Sequence, residues 1–189
     1  MNAIVHDLRP SSRDERTRVV SDTKKLRVAP VQPAFQVVLV EPEIPPNTGS
    51  IARTCAATCS PLHLVGKLGF RIDEQSVRRA GLDYWHLVDL HRHESFADFE
   101  RAIGDAHLHL FSANATRSFT EADFRPGDAL VFGKESVGLP PALLQKYESR
   151  VWGIPTSGDV RSLNLSNAVS IVLFDALRRN GGLDRPFVA

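Results

Sequence analysis

Three segments rich in glycine, asparagine, serine and arginine contain the residues that could perform chemistry in this sequence. They are residues 47–53 (NTGSIAR), 132–139 (FGKESVGL) and 155–167 (PTSGDVRSLNLSN). Each of them follows a short apolar run that is typical of a buried strand. Ligands of parallel sheets bind at loops outside the carboxyl ends of the strands. These positions therefore favour a single ligand site built from distant parts of the chain.

The first segment places Asn47 at a predicted helix start and Arg53 about one and a half turns further along. A guanidinium presents a rigid fork of donors that matches the geometry of a phosphate. One interpretation is that Arg53 leans over the site and holds a phosphate or the reacting hydroxyl. The other is that Asn47 caps a helix and Arg53 is an ordinary surface residue.

The second segment places a glycine and an acid directly after a predicted strand. Gly133 in this position would let a ligand approach the backbone closely. Glu135 is either an exposed loop acid or a hydrogen-bonding group that orients other residues of the site.

The third segment has more polar residues than a helix start requires. Six of them fall within twelve positions before an apolar helix: Thr156, Ser157, Ser162, Asn164, Ser166 and Asn167. Capping a helix needs only one such residue, and Ser166 or Asn167 is the predicted cap or in-helix contact. The excess favours a polar loop that wraps around a cofactor.

Several familiar motifs are missing from the sequence. Neither the G-x-G-x-x-G dinucleotide fingerprint nor a G-x-x-x-x-G-K-[ST] phosphate loop is present, which disfavours a dehydrogenase or a P-loop nucleotidase. No Ser-His-Asp order argues for a hydrolase. Cys55, Cys59 and His63 lack the further ligand that a metal site would need, so no metal is expected and the cysteines are predicted to be buried. The histidine pairs at 91/93 and 107/109 alternate along strands and are predicted to be structural, without a carboxylate partner.

Charge is nearly balanced over the 189 residues, at +1 net. Residues 1–34 contain seven Lys/Arg against four Asp/Glu, which leaves sixteen against eighteen for the remainder. A nucleic-acid-binding protein is expected to have a basic surface. Bulk charge does not supply one here, so binding RNA would require Arg53, Arg78, Arg79 and Arg161 to converge on one face.

Apolar runs and helical segments alternate along the chain. Strands are predicted at residues 35–40, 62–65, 87–90, 108–111, 129–132 and 151–154. Helices are predicted to start within 47–50, to span 73–80 and 95–103, to open at Pro140 and Pro141, and to run from Leu165 to a stop at Gly181. This alternation predicts an α/β fold with a mostly parallel sheet and helices on both faces.

Two regions are predicted from composition. Residues 1–34 are polar and basic, and are predicted to form a flexible N-terminal extension, while residues 35–189 form one folded domain. The N-terminus lacks the apolar stretch of a secretory signal, and no apolar run is long enough to span a membrane. With two cysteines only four residues apart, a disulfide is not expected and a cytoplasmic location is the simplest expectation.

The three segments resemble, in order, the three motifs of the SPOUT methyltransferases. The matching stretches are NTGSIAR, LVFGKESVGLP and IPTSGDVRSLNLSNAVSIVLF. RRAGLDYW (78–85) and VEPEIPPNTG (40–49) are similar to stretches of the small tRNA wobble-nucleotide 2′-O-methyltransferases. The resemblance extends over residues 35–182, and several motifs in the right order and spacing make it specific.

This resemblance implies a deep C-terminal trefoil knot, which is rare among folds. It also implies a homodimer, S-adenosyl-L-methionine (SAM) as methyl donor, and the anticodon loop of tRNA as substrate. The residues it places against SAM are Ala113, Gly133, Ile154, Ser162 and Leu163. It places Arg53, Glu135, Ser162 and Asn164 at catalytic positions, and Arg53, Arg79 and Arg161 on the RNA.

A sugar hydroxyl is a poor nucleophile until its proton is being removed. None of the three motifs contains a histidine, and an arginine is normally protonated. Arg53 would therefore act either after deprotonation by the site or, as we prefer, by pairing a substrate phosphate that accepts the proton. Tyr84 or Trp85 would stack on an unpaired base or pack in the core.

The same fold would also suit other roles. The chain could methylate a base or another RNA position, in tRNA or rRNA, or it could be a non-catalytic RNA-binding protein. The particular tRNA and the choice between cytidine and uridine are left open by the sequence.

Overall fold

The computed structural model describes residues 24–70 and 85–189 of the chain. Its centre is a six-stranded sheet with the strand order β4-β3-β2-β6-β5-β7, in which every neighbouring pair is parallel. The strands are β2 (Gln36–Val40), β3 (Leu62–Val65), β4 (Leu90–His93), β5 (Leu108–Phe111), β6 (Ala129–Phe132) and β7 (Val151–Trp152). The prediction of an α/β fold with a mostly parallel sheet is confirmed.

Helices cover both faces of this sheet, as predicted. They are α1 (Pro45–Thr58), α2 (Phe96–Ile103), α3 (Pro141–Lys146) and α4 (Leu165–Arg179). Alternate residues of β2 belong to different apolar clusters, because successive side chains of a strand point to opposite faces. Val37 and Leu39 pack with α1 and α4, whereas Val38 and Val40 pack with α2 and α3.

Strand boundaries follow the apolar runs except at the sheet margins. Residues 62–65, 108–111 and 129–132 are strands as predicted. The strand predicted at 87–90 was misplaced, since Trp85–Leu87 forms a 3-10 turn and the strand is Leu90–His93. As an edge strand, β4 lacks the continuous apolar run that identifies a buried strand. The strand predicted to reach residue 154 ends at Trp152.

The start of α1 differs from the prediction for a physical reason. The helix begins at Pro45, with Pro46 also in its first turn, where the missing N–H of a proline costs nothing. Ile44 stands at the N-cap position without a side-chain cap. Asn47 and Thr48 therefore lie inside the helix and are buried, which leaves the Asn47 side chain to bond elsewhere.

The start of α4 also corrects the sequence expectation. Asn164 is the N-cap, and its side-chain oxygen accepts hydrogen bonds from the backbone N–H groups of Ser166 and Asn167. A cap at Ser166 or Asn167 is therefore wrong, whereas the alternative of an in-helix contact is confirmed, because both residues lie within α4 and hydrogen-bond Asn164.

A short antiparallel ribbon joins the two ends of the described chain. It pairs β1 (Leu26–Arg27) with β8 (Phe187–Val188). Further along, Val31 packs against the apolar cluster beneath α1 and α4.

The two cysteines differ in environment. Both are free thiols, and burial raises the pKa of Cys55 to about 12. Cys59 is exposed, contrary to the prediction of two buried cysteines, because it ends α1 in the left-handed conformation with φ 54°. Among the described residues, no group of three histidine, cysteine or acidic side chains is arranged to hold a metal ion. The helices of residues 24–70 and 85–189 include none with the length and apolar character to span a bilayer.

Four histidines of the described chain lie in strands of the sheet, and three of them form a cluster. His63 Nδ1 lies 2.9 Å from His93 Nε2, and the ring of His63 stacks on that of His91. His109 Nε2 bonds the buried carboxylate of Asp128 at 2.9 Å. The expectation of histidines without a carboxylate partner is wrong for His109, and also for His91, which pairs with Asp89 at 3.0 Å.

The histidine cluster makes stability depend on pH. Burial, with smaller contributions from the charges of His91 and His93, lowers the pKa of His63 to about 4. The unfolded chain then binds this proton more readily than the native one. Its contribution to stability is full above about pH 6.5 and is lost as the pH falls toward 4.

We therefore expect His63→Leu to reduce the acid sensitivity of the free energy of unfolding by about 2 kcal/mol between pH 7.5 and pH 5. Urea unfolding at the two pH values measures this difference. His86 is exposed, so His86→Leu should keep the full pH dependence of the wild type. If the free energy of unfolding of His63→Leu still changes with pH as much as that of the wild type, His63 is not the cause of the pH dependence.

Candidate active site

The candidate site lies at the edge of the sheet where the parallel strands end. Because all six strands run the same way, the loops that follow them emerge on one side of the molecule. Three of these loops come together there: residues 41–44 after β2, residues 133–140 after β6, and residues 153–164 after β7. One residue from each of the three polar segments takes part in a hydrogen-bond network at this edge: Asn47, Glu135 and Asn164.

A carboxylate joins the second loop to the start of α1. Glu135 Oε2 accepts a hydrogen bond from the backbone N–H of Glu43 at 2.9 Å. Its Oε1 accepts one from the N–H of Ile44 at 3.3 Å and another from Asn47 Nδ2 at 2.9 Å. Both carboxylate oxygens are thus engaged by N–H donors. Glu135 is therefore suited to hold these groups in place.

Asn47 extends this connection to the third loop. While its amide nitrogen donates to Glu135, its Oδ1 accepts a hydrogen bond from Asn164 Nδ2 at 3.0 Å. Asn164 in turn caps α4 through its own Oδ1. The Glu135–Asn47–Asn164 network therefore links the start of α1 to the second and third loops, through hydrogen bonds that span 88 and 117 residues of the chain.

We expect Glu135 and Asn47 to be energetically coupled. A buried donor left without its acceptor costs about 1–3 kcal/mol, so each alanine substitution should destabilise the fold. A double-mutant cycle of Glu135→Ala and Asn47→Ala, followed by urea unfolding, should give a coupling free energy of about 1–2 kcal/mol. Replacing Glu121 instead of Glu135 in the cycle is the control and should give additive effects. Additivity of the Glu135 and Asn47 effects would contradict the network.

Ion pairing reinforces the contact between the first two loops. Lys134 Nζ lies 2.7 Å from Glu41 Oε2, and the Ser136 N–H donates to Glu43 Oε2 at 3.1 Å. Hydrogen bonding from Ser136, aided by the charge of Lys134, lowers the pKa of Glu43. Hydrogen bonding to Glu41 raises the pKa of Lys134. The charged forms of both groups are therefore favoured at neutral pH.

Gly133 is required by the loop's own backbone. A Cβ atom at this position would lie 2.2 Å from the carbonyl carbon of Gly138 and 2.2 Å from the nitrogen of Leu139. The loop closes on itself here, and Lys134 bridges to Gly138. The close approach expected from the sequence is made by the second loop upon itself.

Arg53 lies on α1, six residues beyond Asn47, and is exposed. A rise of 1.5 Å per residue separates their backbones by about 9 Å along the helix axis. The neighbouring Thr54 hydroxyl is 3.4 Å from Ser170 Oγ of α4, so this part of α1 lies against the last helix. Arg53 is thus carried by the same helix that begins at the network.

The third loop offers backbone groups and a few apolar side chains. Ile154 packs against the core and Leu163 is half-buried, whereas residues 155–162, including Ser162, are exposed. Within the described chain, residues 154–163 form no backbone–backbone hydrogen bonds. Their N–H and C=O groups are available to a ligand. Arg161 Nη2 reaches the Ser136 carbonyl at 3.5 Å and so connects this loop to the second.

The remaining predicted site residues are placed as follows. Ala113 is exposed and comes two residues after β5, at the same edge of the sheet. Arg78, Arg79 and Tyr84 lie outside the described residues, as does the helix predicted at 73–80. Trp85 packs against the core cluster, which favours the packing role proposed for one of the two aromatic residues.

Sequence reasoning missed the central position of Asn47 and the contacts of Glu41, Glu43 and Lys134. A signal was available for Asn47: a helix that begins with Pro45 and Pro46 has less need of a side-chain cap, so an asparagine just after them is free for another partner. The acidic pair at 41 and 43 had no comparable signal, because loop acids are usually solvated.

Comparison with known proteins points to one family. Residues 34–174 match the SpoU rRNA methylase family. A tRNA (cytidine(34)-2'-O)-methyltransferase from Burkholderia pseudomallei is 45% identical over 151 residues, which is 78% of this chain and 96% of the relative. The alignment thus includes nearly the whole of that protein.

Solved structures give the same result. A structure that addresses the 2-OH methylation of C/U34 on tRNA has a TM-score of 0.74 and 47% identity, and covers 79% of this chain and 97% of that one. The SpoU methyltransferase AviRb from Streptomyces viridochromogenes, in complex with AdoMet, has a TM-score of 0.65 and 25% identity, and covers 82% of this chain and 60% of that one.

Proposed function

We propose that this chain, which belongs to the SpoU methylase family, transfers a methyl group to the ribose 2′-hydroxyl of the wobble nucleotide, cytidine or uridine 34, of tRNA. The observation that carries the proposal is the Glu135–Asn47–Asn164 network. It brings three motif-bearing loops together in a chain that aligns with nearly all of a cytidine-34 2′-O-methyltransferase. A tRNA substrate implies a cytoplasmic enzyme.

The third loop has the character that a SAM site needs. Ile154 and Leu163 offer apolar surface, and the backbone groups of residues 154–163 lack partners within the described chain. Adenosine needs an apolar surface together with a few polar groups, so these features fit it. The residues that would hold SAM are Ala113, Gly133, Ile154, Ser162 and Leu163. When bound, SAM supplies a methyl group made electrophilic by its sulfonium.

Arg53 acts on the acceptor side of the reaction. Its guanidinium pairs a phosphate of the RNA and holds the wobble ribose beside it. Bound SAM would supply the methyl group to the 2′-oxygen, and Arg53 would hold the phosphate so that one of its oxygens can accept the hydroxyl proton. Alignment of the two reactants can supply roughly 7–11 kcal/mol of the barrier reduction.

Glu135 and Asn164 position the site. The Glu135 carboxylate holds the start of α1, which carries Arg53, and Asn164 fixes the point where the third loop enters α4. Ser162, exposed on that loop, provides a hydroxyl near the donor and the ribose. Arg161, and Arg79 from the segment outside the described residues, contact the RNA backbone.

The enzyme works as a homodimer with a knotted C-terminal region. Exposed Ile171 and Phe174 on α4 support a dimer, because they form an apolar surface on the helix that packs beside Arg53 and α1. A trefoil knot is supported by the family match over residues 34–174. In the structure, Arg161 of the third loop contacts the second loop, and α4 packs on α1.

Transfer of labelled methyl from SAM to unmodified tRNA tests this proposal. Nucleoside analysis should yield 2′-O-methylcytidine or 2′-O-methyluridine, since the acceptor is the ribose hydroxyl that distinguishes RNA from DNA. A base-methylated product, or transfer only to ribosomal RNA, would support the other activities of the fold. Saturable SAM binding in calorimetry separates an enzyme from a non-catalytic RNA-binding protein.

A further inference from the structure

The ribbon of β1 and β8 lies outside the part of the chain that defines the family. The family match covers residues 34–174, whereas the ribbon consists of Leu26–Arg27 and Phe187–Val188. The Burkholderia pseudomallei relative aligns over 96% of its own length with only 78% of this chain. The ribbon is therefore an addition to the shared domain, and its role does not follow from the family.

The two faces of the ribbon differ in chemistry. Directly opposed residues of an antiparallel pair share a face, and residues two apart on one strand do so as well. Arg27 opposes Phe187, and Lys25 exchanges both backbone hydrogen bonds with Ala189. Lys25, Arg27 and Phe187 therefore form one face. Leu26 and Val188 form the other face.

Positive charge is concentrated in the segment that contains the ribbon's first strand. Residues 24–34 contain Lys24, Lys25 and Arg27 and no acidic residue, so they hold all of the surplus of three charges found in residues 1–34. Lys25, Arg27 and Phe187 are exposed, and the Phe187 side chain is 51% accessible. Arg185 is also exposed next to β8, but the adjacent exposed Asp184 offsets its charge.

We propose that the face formed by Lys25, Arg27 and Phe187 is an additional RNA-binding surface for the tRNA substrate. This inference rests on the proposed function. Lysine and arginine neutralise phosphates, and an exposed aromatic ring next to them provides a platform on which an unpaired base can stack. The combination fits single-stranded or loop RNA better than a protein partner. The core of a protein interface is usually apolar and poor in charged residues, and the apolar side chains Leu26 and Val188 lie on the opposite face of the ribbon.

Charge reversal on this face tests the inference. Lys25→Glu combined with Arg27→Glu should raise the Kd for tRNA at least about tenfold at 50 mM salt, and should lower the slope of log K against log salt by about two. The control is Arg92→Glu with Arg101→Glu, which makes the same change in net charge at exposed positions of β4 and α2. It should change the Kd and the slope much less.

Phe187→Ala separates stacking from charge. It should weaken tRNA binding by about fivefold or more and leave the salt slope as in the wild type. At saturating tRNA, kcat should be unchanged in both ribbon variants, because none of the substituted residues belongs to the active site.

Three outcomes overturn the inference. The first is an unchanged Kd and slope in the charge-reversed variant, and the second is a loss equal to that of the control. The third is a changed oligomeric state in sedimentation with unaltered RNA affinity, which would assign the ribbon to contacts between copies of the chain. Failure of the proposed function itself would appear differently, as a wild-type protein that methylates no tRNA.

Discussion

Arg53→Ala is expected to abolish turnover, lowering kcat by about a thousandfold while SAM affinity stays within twofold of the wild type. General acid–base assistance typically contributes about 10²–10⁴-fold, and the loss of a phosphate clamp adds misalignment of the ribose to this effect. Because Arg53 is exposed on α1 and outside the loops that would hold SAM, its removal should leave the cofactor site intact. Single-turnover methyl transfer and calorimetry with SAM measure the two quantities separately.

A conservative variant and a control variant accompany this prediction. Arg53→Lys keeps the charge but loses the two-pronged geometry, so it should recover only part of the activity. Arg92→Ala removes an exposed arginine from β4, away from the motif-bearing loops, and should retain full turnover. Methylation at the wild-type rate by Arg53→Ala would remove this residue from the mechanism.

Gly133→Ala should have the largest effect on the fold of the site. The new Cβ would lie 2.2 Å from backbone atoms of Gly138 and Leu139, which cannot move aside like a flexible side chain. Overpacking of this kind costs about 3 kcal/mol or more, which corresponds to a decrease in Tm of about 6–12 °C for a chain of this size. SAM binding should weaken together with stability, since the second loop must shift.

Gly138→Ala is the matched control in the same loop. Its Cβ would meet no atom within 4 Å, so only the positive φ of 74° opposes the substitution. The cost of that conformation is about 1 kcal/mol. Thermal unfolding and calorimetry with SAM should therefore rank wild type, Gly138→Ala and Gly133→Ala in this order. If the two substitutions lower Tm and SAM affinity equally, the close backbone approach at Gly133 does not determine the stability of the loop.

Strands in the interior of the sheet could be predicted from the sequence because burial on both faces requires an unbroken apolar run. Residues 129–132 show this: all four are buried. The edge strand β4 could not be located in this way. Its sequence, LHRH, is partly exposed on both faces, and both of its histidines contact His63 of β3, so no apolar run marks it.

The residue types along the sequence were enough to locate the loops of the site, but not the hydrogen bonds that connect them. The excess of polar residues before α4 and the glycines after β6 were visible as patterns. The hydrogen bonds from Asn47 to Glu135 and from Asn164 to Asn47 connect residues 88 and 117 positions apart, and single-sequence patterns carry no information at that distance. The ribbon of β1 and β8 was also missed. Its two strands lie far apart in the chain, and each has only two residues, which is too short to show a pattern.

The proposed reaction requires the 2′-hydroxyl of nucleotide 34 as methyl acceptor, and one substrate tests this requirement directly. An otherwise unmodified tRNA in which only this ribose is replaced by 2′-deoxyribose should bind the enzyme with nearly the affinity of the normal substrate, because the phosphates that we propose Arg53 and Arg161 contact are retained. We predict no methyl transfer from labelled SAM to this substrate and full transfer to its ribose counterpart. Methylation of the deoxy substrate at an undiminished rate would contradict the account.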